Sequence, residues 1–357
     1  MKNDTLVIGA GQAGLAAGYY LQRAGLRFAL LDAGDEIGSA WKNRWDSLRL
    51  FTPARYSDLP GLRFPGEPYA LPTKDQAAGY LKAYARHFEL PVRLRTQVSR
   101  LRFEGDGYAV TTTGGESLRA ASVIVATGAN QQPYVPAFAA GLHSHIMQVH
   151  SRDYRRPSQL PPGSVLVVGA GNSGAQIALE LAEAGRKVVL SGPDTGSLPR
   201  RLLGRDIYDW LWPTLMRPSV DSALGRRLMQ GRLFAGDPLV GMSANSLARR
   251  GVERAERAIA ARGDAVVFKG GRTLCDIAAV VWCTGFRPDF SWIELPVLGL
   301  DGYPVHRRGI AHEAPGLSFL GMRYQFRVGS ALLGGVGEDA AYVVRQTVKS
   351  ARSRVNA

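Results

Sequence analysis

An α/β fold with two Rossmann-like dinucleotide-binding units follows from two stretches of the chain that nearly repeat each other. Residues 5–32 read TLVIGAGQAGLAAGYYLQRAGLRFALLD, and residues 165–192, 160 positions later, read VLVVGAGNSGAQIALELAEAGRKVVLSG. Each is an apolar run, a GxGxxG turn, a helical stretch and a second apolar run, the order of a βαβ unit. A further apolar run follows each copy and ends in a TG turn, VIVATGAN at 123–130 and VVWCTGFRPD at 280–289. At 357 residues the chain is long enough to bury two such cores.

In order along the chain, residues 5–8 form a short apolar strand that enters the first glycine turn. Helical spacing covers 12–24, and a second strand covers 27–31. Residues 34–71, dense in Gly, Pro and aromatics, have no clean period and are expected to pass over a ligand. A helix is expected at 73–88, short strands at 90–110 with a hairpin near 105–107, and a strand at 122–125. The Pro-rich stretch 156–163 is a linker before the second unit. Residues 202–216 carry Leu, Ile and Trp at roughly helical spacing, and 244–262 has the composition of a long helix. A strand at 280–282, another at 317–320, a glycine-rich turn at 329–337 and a helix at 339–349 complete the reading.

Composition is that of a water-soluble globular protein, 45% hydrophobic and 21% charged. The net charge of +14 is spread over scattered arginines. With no basic stripe or nucleic-acid motif, nucleic-acid binding is not expected. No run approaches the length of a membrane span, so stable membrane insertion is not expected. No cleavable leader is read at the N-terminus. The two cysteines, Cys275 and Cys283, form neither a disulfide framework nor a CxxC pair, which points to a reducing cytoplasm. No metal site is read, and a homodimer is compatible with the sequence.

The chemistry resides in the glycine loops. Gly9 and Gly169 make the tight turns, while Gly11 and Gly171 let the backbone approach a pyrophosphate. Gly14 and Gly174 let the helix pack on the strand. Gln12 and Ala13, and Asn172 and Ser173, open the two helices, whose N-termini favour phosphate. Asp32 ends the first unit where an acid bonds the ribose hydroxyls of an adenosine. At the matching position the second unit has Gly192, after Ser191, and the missing carboxylate permits the 2′-phosphate of NADPH, with NADH still allowed. Arg200 and Arg201 downstream are candidates for the matching positive charge. Two dinucleotides in one chain imply electron transfer between them, most simply from a visiting nicotinamide to a resident FAD.

GAGQAGL, the GSAW of 38–41, HSRDYR at 150–155, GAGNSG and CTGFRPD stand in the order seen in flavin-containing monooxygenases. Over essentially its whole length the chain resembles that family's small bacterial members and is similar to the plant YUCCA-type enzymes. The resemblance implies an FAD domain, 1–155 and 275–357, into which an NADPH domain, 156–274, is inserted. The TG turns, Thr127-Gly128 and Thr284-Gly285, then lie near the crossovers. It implies that NADPH reduces FAD and that O2 forms a C4a-(hydro)peroxyflavin. That species oxygenates a small soft nucleophile, a sulfide or amine, or a ketone. A dry pocket is needed, for which Trp41 and Trp45 are candidates.

His150 matches the histidine of the family's FxGxxxH signature, although Ser144 and Ile146 stand where Phe and Gly are expected. The segment 49–60 lacks the asparagine that many members place beside the flavin, and Thr52 is the nearest polar candidate. Gln325, Ser330, Leu332 and Gly335, in QFRVGSALLGGVGEDA, resemble the last flavin contact. The alternative is a thioredoxin- or ferredoxin-reductase-like flavoprotein that passes electrons to a partner without oxygenation. The missing CxxC argues against its dithiol form.

Overall fold

The computed structural model describes residues 3–230 and 237–355. The first unit runs β1 (Asn3–Ile8), α1 (Gln12–Arg23) and β2 (Phe28–Leu31). After the segment 34–71, which contains only the short helix α2 (Ser39–Lys42) and a 3-10 turn, come α3 (Lys74–His87) and β3 (Val92–Arg93). A meander of β4 (Val98–Glu104), β5 (Gly107–Thr112) and β6 (Ser117–Val125) follows. The sheet order is β3-β2-β1-β6-β5-β4. Along β6 the first half pairs antiparallel with β5. The second half, Val123–Val125, pairs parallel with the late strand Leu317–Phe319. Leu6, Val7, Leu30, Val123 and Ile124 are fully buried, which is why these central parallel strands read as unbroken apolar runs. Burying each such side chain contributes about 1.5–3 kcal/mol.

β7 (Gln132–Pro133) is part of the crossover to the second unit, and β8 (Met147–His150) already belongs to the second sheet. There follow β9 (Ser164–Val168), α4 (Asn172–Glu183) and β10 (Val188–Ser191). Next are two short strands, β11 (Ser197–Leu198) and β12 (Arg201–Leu202). They lead to β13 (Arg205–Asp206), α5 (Ile207–Leu211) and α6 (Ala223–Gln230). After residue 237 come β14 (Leu239–Val240), α7 (Ala244–Arg249), β15 (Val252–Ala255), β16 (Ala258–Arg262), β17 (Ala265–Phe268) and β18 (Thr273–Leu274). β19 (Ile277–Trp282) closes the second sheet, of order β15-β10-β9-β19-β8. β20 (Phe286–Arg287) pairs antiparallel with β7, so the two crossovers form one ribbon. β21 (Leu317–Phe319) and α8 (Val336–Val355) return to the first unit, where α8 packs on α1.

The two-unit α/β architecture is the expected one, with four local corrections. The stretch 244–262 is not one helix: α7 stops before Gly251, which has a positive φ of 84°, and strands β15 and β16 follow. Gly is the common residue at a helix C-terminus. Residues 202–216 are not one helix either. A tight hairpin, with Leu203 and Gly204 both at positive φ, comes first; α5 and a single π-type turn follow. The last helix begins at Val336 rather than 339. Finally, β8 and β19 lie outside 156–274, yet both are laddered into the second sheet, so that sheet reaches from 147 to 282. Among the described residues, no helix is long and apolar enough to cross a membrane.

Candidate functional site

The two glycine loops have one geometry. At Gly9 φ is 104°, a left-handed value that favours glycine, and a Cβ there would stand 2.6 Å from the Ala126 carbonyl oxygen. A Cβ on Gly14 would collide with the Gly9 carbonyl, whereas one on Gly11 would meet nothing within 4 Å. Gly169, Gly174 and Gly171 repeat this pattern, with the Cys283 carbonyl in the role of Ala126. Each TG turn thus closes a loop from behind. The space in front of Gly11 and Gly171 is open, and neither helix N-terminus there is capped by a side chain. Uncapped N–H groups facing an open space are an anion cradle, and each of the two glycine loops forms one.

The strand ends beside the cradles differ in charge. The Asp32 carboxylate accepts from the Ala10 amide at 2.6 Å and from the Gly34 amide at 2.8 Å, which fixes it at the first cradle's rim. A Cβ on Gly192 would stand 2.8 Å from the amide nitrogen of Ala170, the counterpart of Ala10. The acid is therefore not only missing from the second unit but sterically excluded by its backbone. Arg254, on β15, donates to the Gly192 carbonyl at 3.1 Å. Half-buried, it loses hydration, and this pushes its pKa down while Asp194 nearby opposes the shift. Arg254 carries no site signal in the sequence, where the composition of 244–262 predicts a helix and not a strand beside β10.

Three segments converge on the C-terminal glycine turn. Gln12 bonds the Ala331 carbonyl at 3.3 Å and accepts from the indole of Trp41 at 3.4 Å. Gly334 lies so close to the Tyr56 carbonyl that a Cβ would collide with it, and the Gly329 amide donates to the Met216 carbonyl at 3.4 Å. Thr52 is buried, its hydroxyl 3.3 Å from that of Ser57. The 34–71 segment thus meets the first cradle, through Trp41 and Gln12, and the C-terminal turn that also receives the 212–220 segment. Trp45 is 4% exposed, and its indole nitrogen has no hydrogen-bond partner.

A family model described as pyridine nucleotide-disulphide oxidoreductase matches residues 6–216, more than half of the chain. The chain belongs to that family. It is similar to an "uncharacterized oxidoreductase CzcO-like" of Geobacillus kaustophilus, 45% identical over 96% of this chain and 97% of the relative. A probable indole-3-pyruvate monooxygenase of Arabidopsis thaliana is 30% identical, over 83% of this chain and 77% of the relative. Among solved structures, the flavin-containing monooxygenase from Stenotrophomonas maltophilia superposes with a TM-score of 0.80 at 29% identity. The match covers 98% of this chain and 99% of that one. The protein is thus an oxidoreductase of the flavin-monooxygenase type. Its family implies FAD and NAD(P)H as cofactors, and the two open cradles fit two dinucleotides.

Several expected site residues have their polar atoms bonded to the surrounding backbone, and others are exposed. His150 accepts from the Arg152 amide at Nδ1 (3.1 Å) and donates from Nε2 to the Gly285 carbonyl (3.0 Å). Both ring nitrogens are engaged by backbone, and burial pushes the pKa down, so the ring is neutral and no free base remains. Ser191 is fully buried and bonded to Glu256 and Ala258. Asn172 holds the backbone of Pro238 and Val240, and Ser173 is exposed. Arg200 pairs with Asp206 at 2.7 Å and donates to the Phe51 carbonyl at 2.7 Å, so its charge is committed away from Gly192. Arg201 lies exposed on the hairpin.

Gln325 bonds Phe319 and Met322 within its own turn, and Ser330 accepts from two amides of the same turn. Leu332 closes that turn, its carbonyl accepting from Gly335 and Val336. In the first TG turn, Gln131 donates to the Thr127 hydroxyl and to the Gly128 carbonyl. In the second, the Thr284 hydroxyl donates to Tyr134, whose amide donates to Gly285 at 3.0 Å. These bonds bind the two crossovers together beside both cradles. Ala13 packs against Gly321 under α1.

Proposed function

We propose that the protein is an NADPH- and FAD-dependent monooxygenase acting with O2 on a small soft nucleophile, a sulfide or amine, or on a ketone. The observation that carries this reading is the pair of open cradles in one chain, only one of which has an acid at its rim. Gly9, Gly11 and Gly14 hold the FAD pyrophosphate, with Asp32 on the adenosine ribose. Gly169, Gly171 and Gly174 hold NADPH, with Arg254 facing the 2′-phosphate where the Asp32 counterpart is excluded. Bound FAD supplies hydride acceptance from the nicotinamide and reaction with O2.

The chain's own residues position the cofactors and keep water out. Trp41, partly exposed beside Gln12, gives the approach apolar surface, and the buried Trp45 packs in the core behind it; a site without bulk water favours oxygen transfer over peroxide release. Thr52 and Ser57 supply the polar atoms where the 34–71 segment meets the C-terminal turn. The inserted-domain arrangement, with the second sheet spanning 147–282, belongs to this reading, as does a cytoplasmic location. Against a dithiol reductase stand the cysteines themselves: Cys275 is exposed, and Cys283 is packed against Gly174, where burial pushes its thiol pKa up.

The test is coupling. FAD-loaded protein is given NADPH in air with and without thioanisole. Sulfoxide formation with a matching fall in hydrogen peroxide is expected. Peroxide equal to the NADPH consumed, whatever sulfide, amine or ketone is added, would contradict oxygenation and favour the reductase.

A further inference from the structure

Far from both cradles, the structure places two imidazoles and a carboxylate together on the surface. The segment between β7 and β8 carries His143 and His145, and the two-residue turn between β16 and β17 carries Asp264. One carboxylate oxygen of Asp264 lies 3.0 Å from His143 Nδ1 and 2.9 Å from His145 Nε2. One ligand atom from each residue falls within 4.8 Å of the others.

The backbone beneath is held from several sides. The His143 amide donates to the Gly263 carbonyl at 3.0 Å, and the Gly263 amide donates to the Gly141 carbonyl at 2.8 Å. Leu142 and Ile146, flanking the histidines, are buried in the same apolar cluster as Ala261. Gly263 is at φ 61°, and a Cβ there would press to 3.1 Å on the His143 ring. The turn that presents Asp264 is thus shaped to admit the imidazole.

We propose that His143, His145 and Asp264 form a surface site for one divalent ion of the Zn2+ class. Each residue gives one ligand, and water completes a tetrahedron. Imidazole nitrogen with a single carboxylate oxygen is a donor set that suits such ions and does not suit Mg2+ or Ca2+. Two ligands about 2.1 Å from an ion at the tetrahedral angle stand about 3.4 Å apart. The two nitrogen–oxygen separations, 3.0 and 2.9 Å, need to open by about half an ångström, and the two imidazole nitrogens stand within 4.8 Å of each other. All three side chains are more than half exposed, so the ion enters without rearrangement of the fold.

The site precedes the N-terminal end of β8, whereas His150 at its C-terminal end joins the TG turn. Nucleotides in such sheets bind at the C-terminal ends. The ion is therefore a clip that ties the crossover segment 141–146 to the β16–β17 hairpin, outside the reacting centre.

Titration calorimetry of untagged, FAD-loaded full-length protein with ZnCl2 tests this. One equivalent is expected to bind. His143→Ala, His145→Ala and Asp264→Asn should each weaken binding at least tenfold, with NADPH oxidation and Zn2+-free melting unchanged. Excess MgCl2 should not compete, and Cys275→Ser should bind as the parent does. Equal Zn2+ binding by the parent and the His143→Ala/His145→Ala double variant would overturn the site, as would binding that Cys275→Ser abolishes.

Discussion

At position 192 the backbone lies against Ala170, and this one contact separates the two nucleotide sites more sharply than the absence of a carboxylate does. With acid excluded, a positive charge stands at that strand end: Arg254 donates to the Gly192 carbonyl. A charge-assisted hydrogen bond is worth about 1.5–3 kcal/mol. Arg254→Ala should therefore weaken binding of 2′,5′-ADP roughly tenfold to a hundredfold while leaving 5′-AMP unchanged; equal losses would remove the assignment. Glycines and Asp32 are legible in the sequence because their roles are local to one loop. Arg254 is not, since its meaning depends on β15 lying beside β10. His150 shows the converse. Its motif is visible, but the backbone bonds that neutralise it are not.

Burial lowers the His150 pKa from its ordinary 6.5, so as pH falls the unfolded chain takes up this proton before the folded one does. Its contribution to stability is complete above about pH 6.5 and declines below it. His150→Gln should flatten part of the acid-side slope in urea melts across this range. An unchanged slope would mean that folding leaves the His150 pKa where it is in the unfolded chain.

Among the elements, the second βαβ unit offers a direct separation of fold from function. A Cβ on Gly174 meets the Gly169 carbonyl, whereas a Cβ on Gly171 enters open space. Gly174→Ala is therefore expected to lower Tm strongly, by a backbone clash that α4 cannot relieve without leaving β9. Gly171→Ala should keep Tm and circular dichroism while weakening NADPH binding at least tenfold. Strands β1, β2, β6, β9 and β10 were readable because burial on both faces leaves continuous apolar runs. The stretch 244–262 has a helical composition because alanine and arginine, which favour helix, dominate it. Only Gly251 marks the stop, and tertiary pairing with β10 and β17 decides the rest.

Across the whole molecule, the 34–71 segment joins the two units through side chains. Arg49 and Gln176 exchange hydrogen bonds between backbone and amide. Tyr56 and Tyr69 both donate to Asp209 on α5, and the Tyr56 ring lies 5.1 Å from that of Trp212. Removing that shared acceptor with Asp209→Ala should change stability little, because its surroundings are partly exposed. It should, however, raise the fraction of NADPH electrons released as peroxide, by loosening the 34–71 segment where it shields the site. Coupling equal to that of the parent would show that this contact does not shield the site. Such long-range joints have no signature in sequence, since their partners are 127 to 153 residues apart.

In the proposed reaction a nicotinamide nucleotide in the second cradle reduces a flavin in the first. Anaerobic mixing of FAD-loaded protein with one equivalent of NADPH, followed by flavin absorbance, tests it most directly. Full bleaching is predicted for the parent. Gly171→Ala should retain FAD but bleach slowly at limiting NADPH. Bleaching at parental rate in Gly171→Ala, or no bleaching in the parent, would contradict the account.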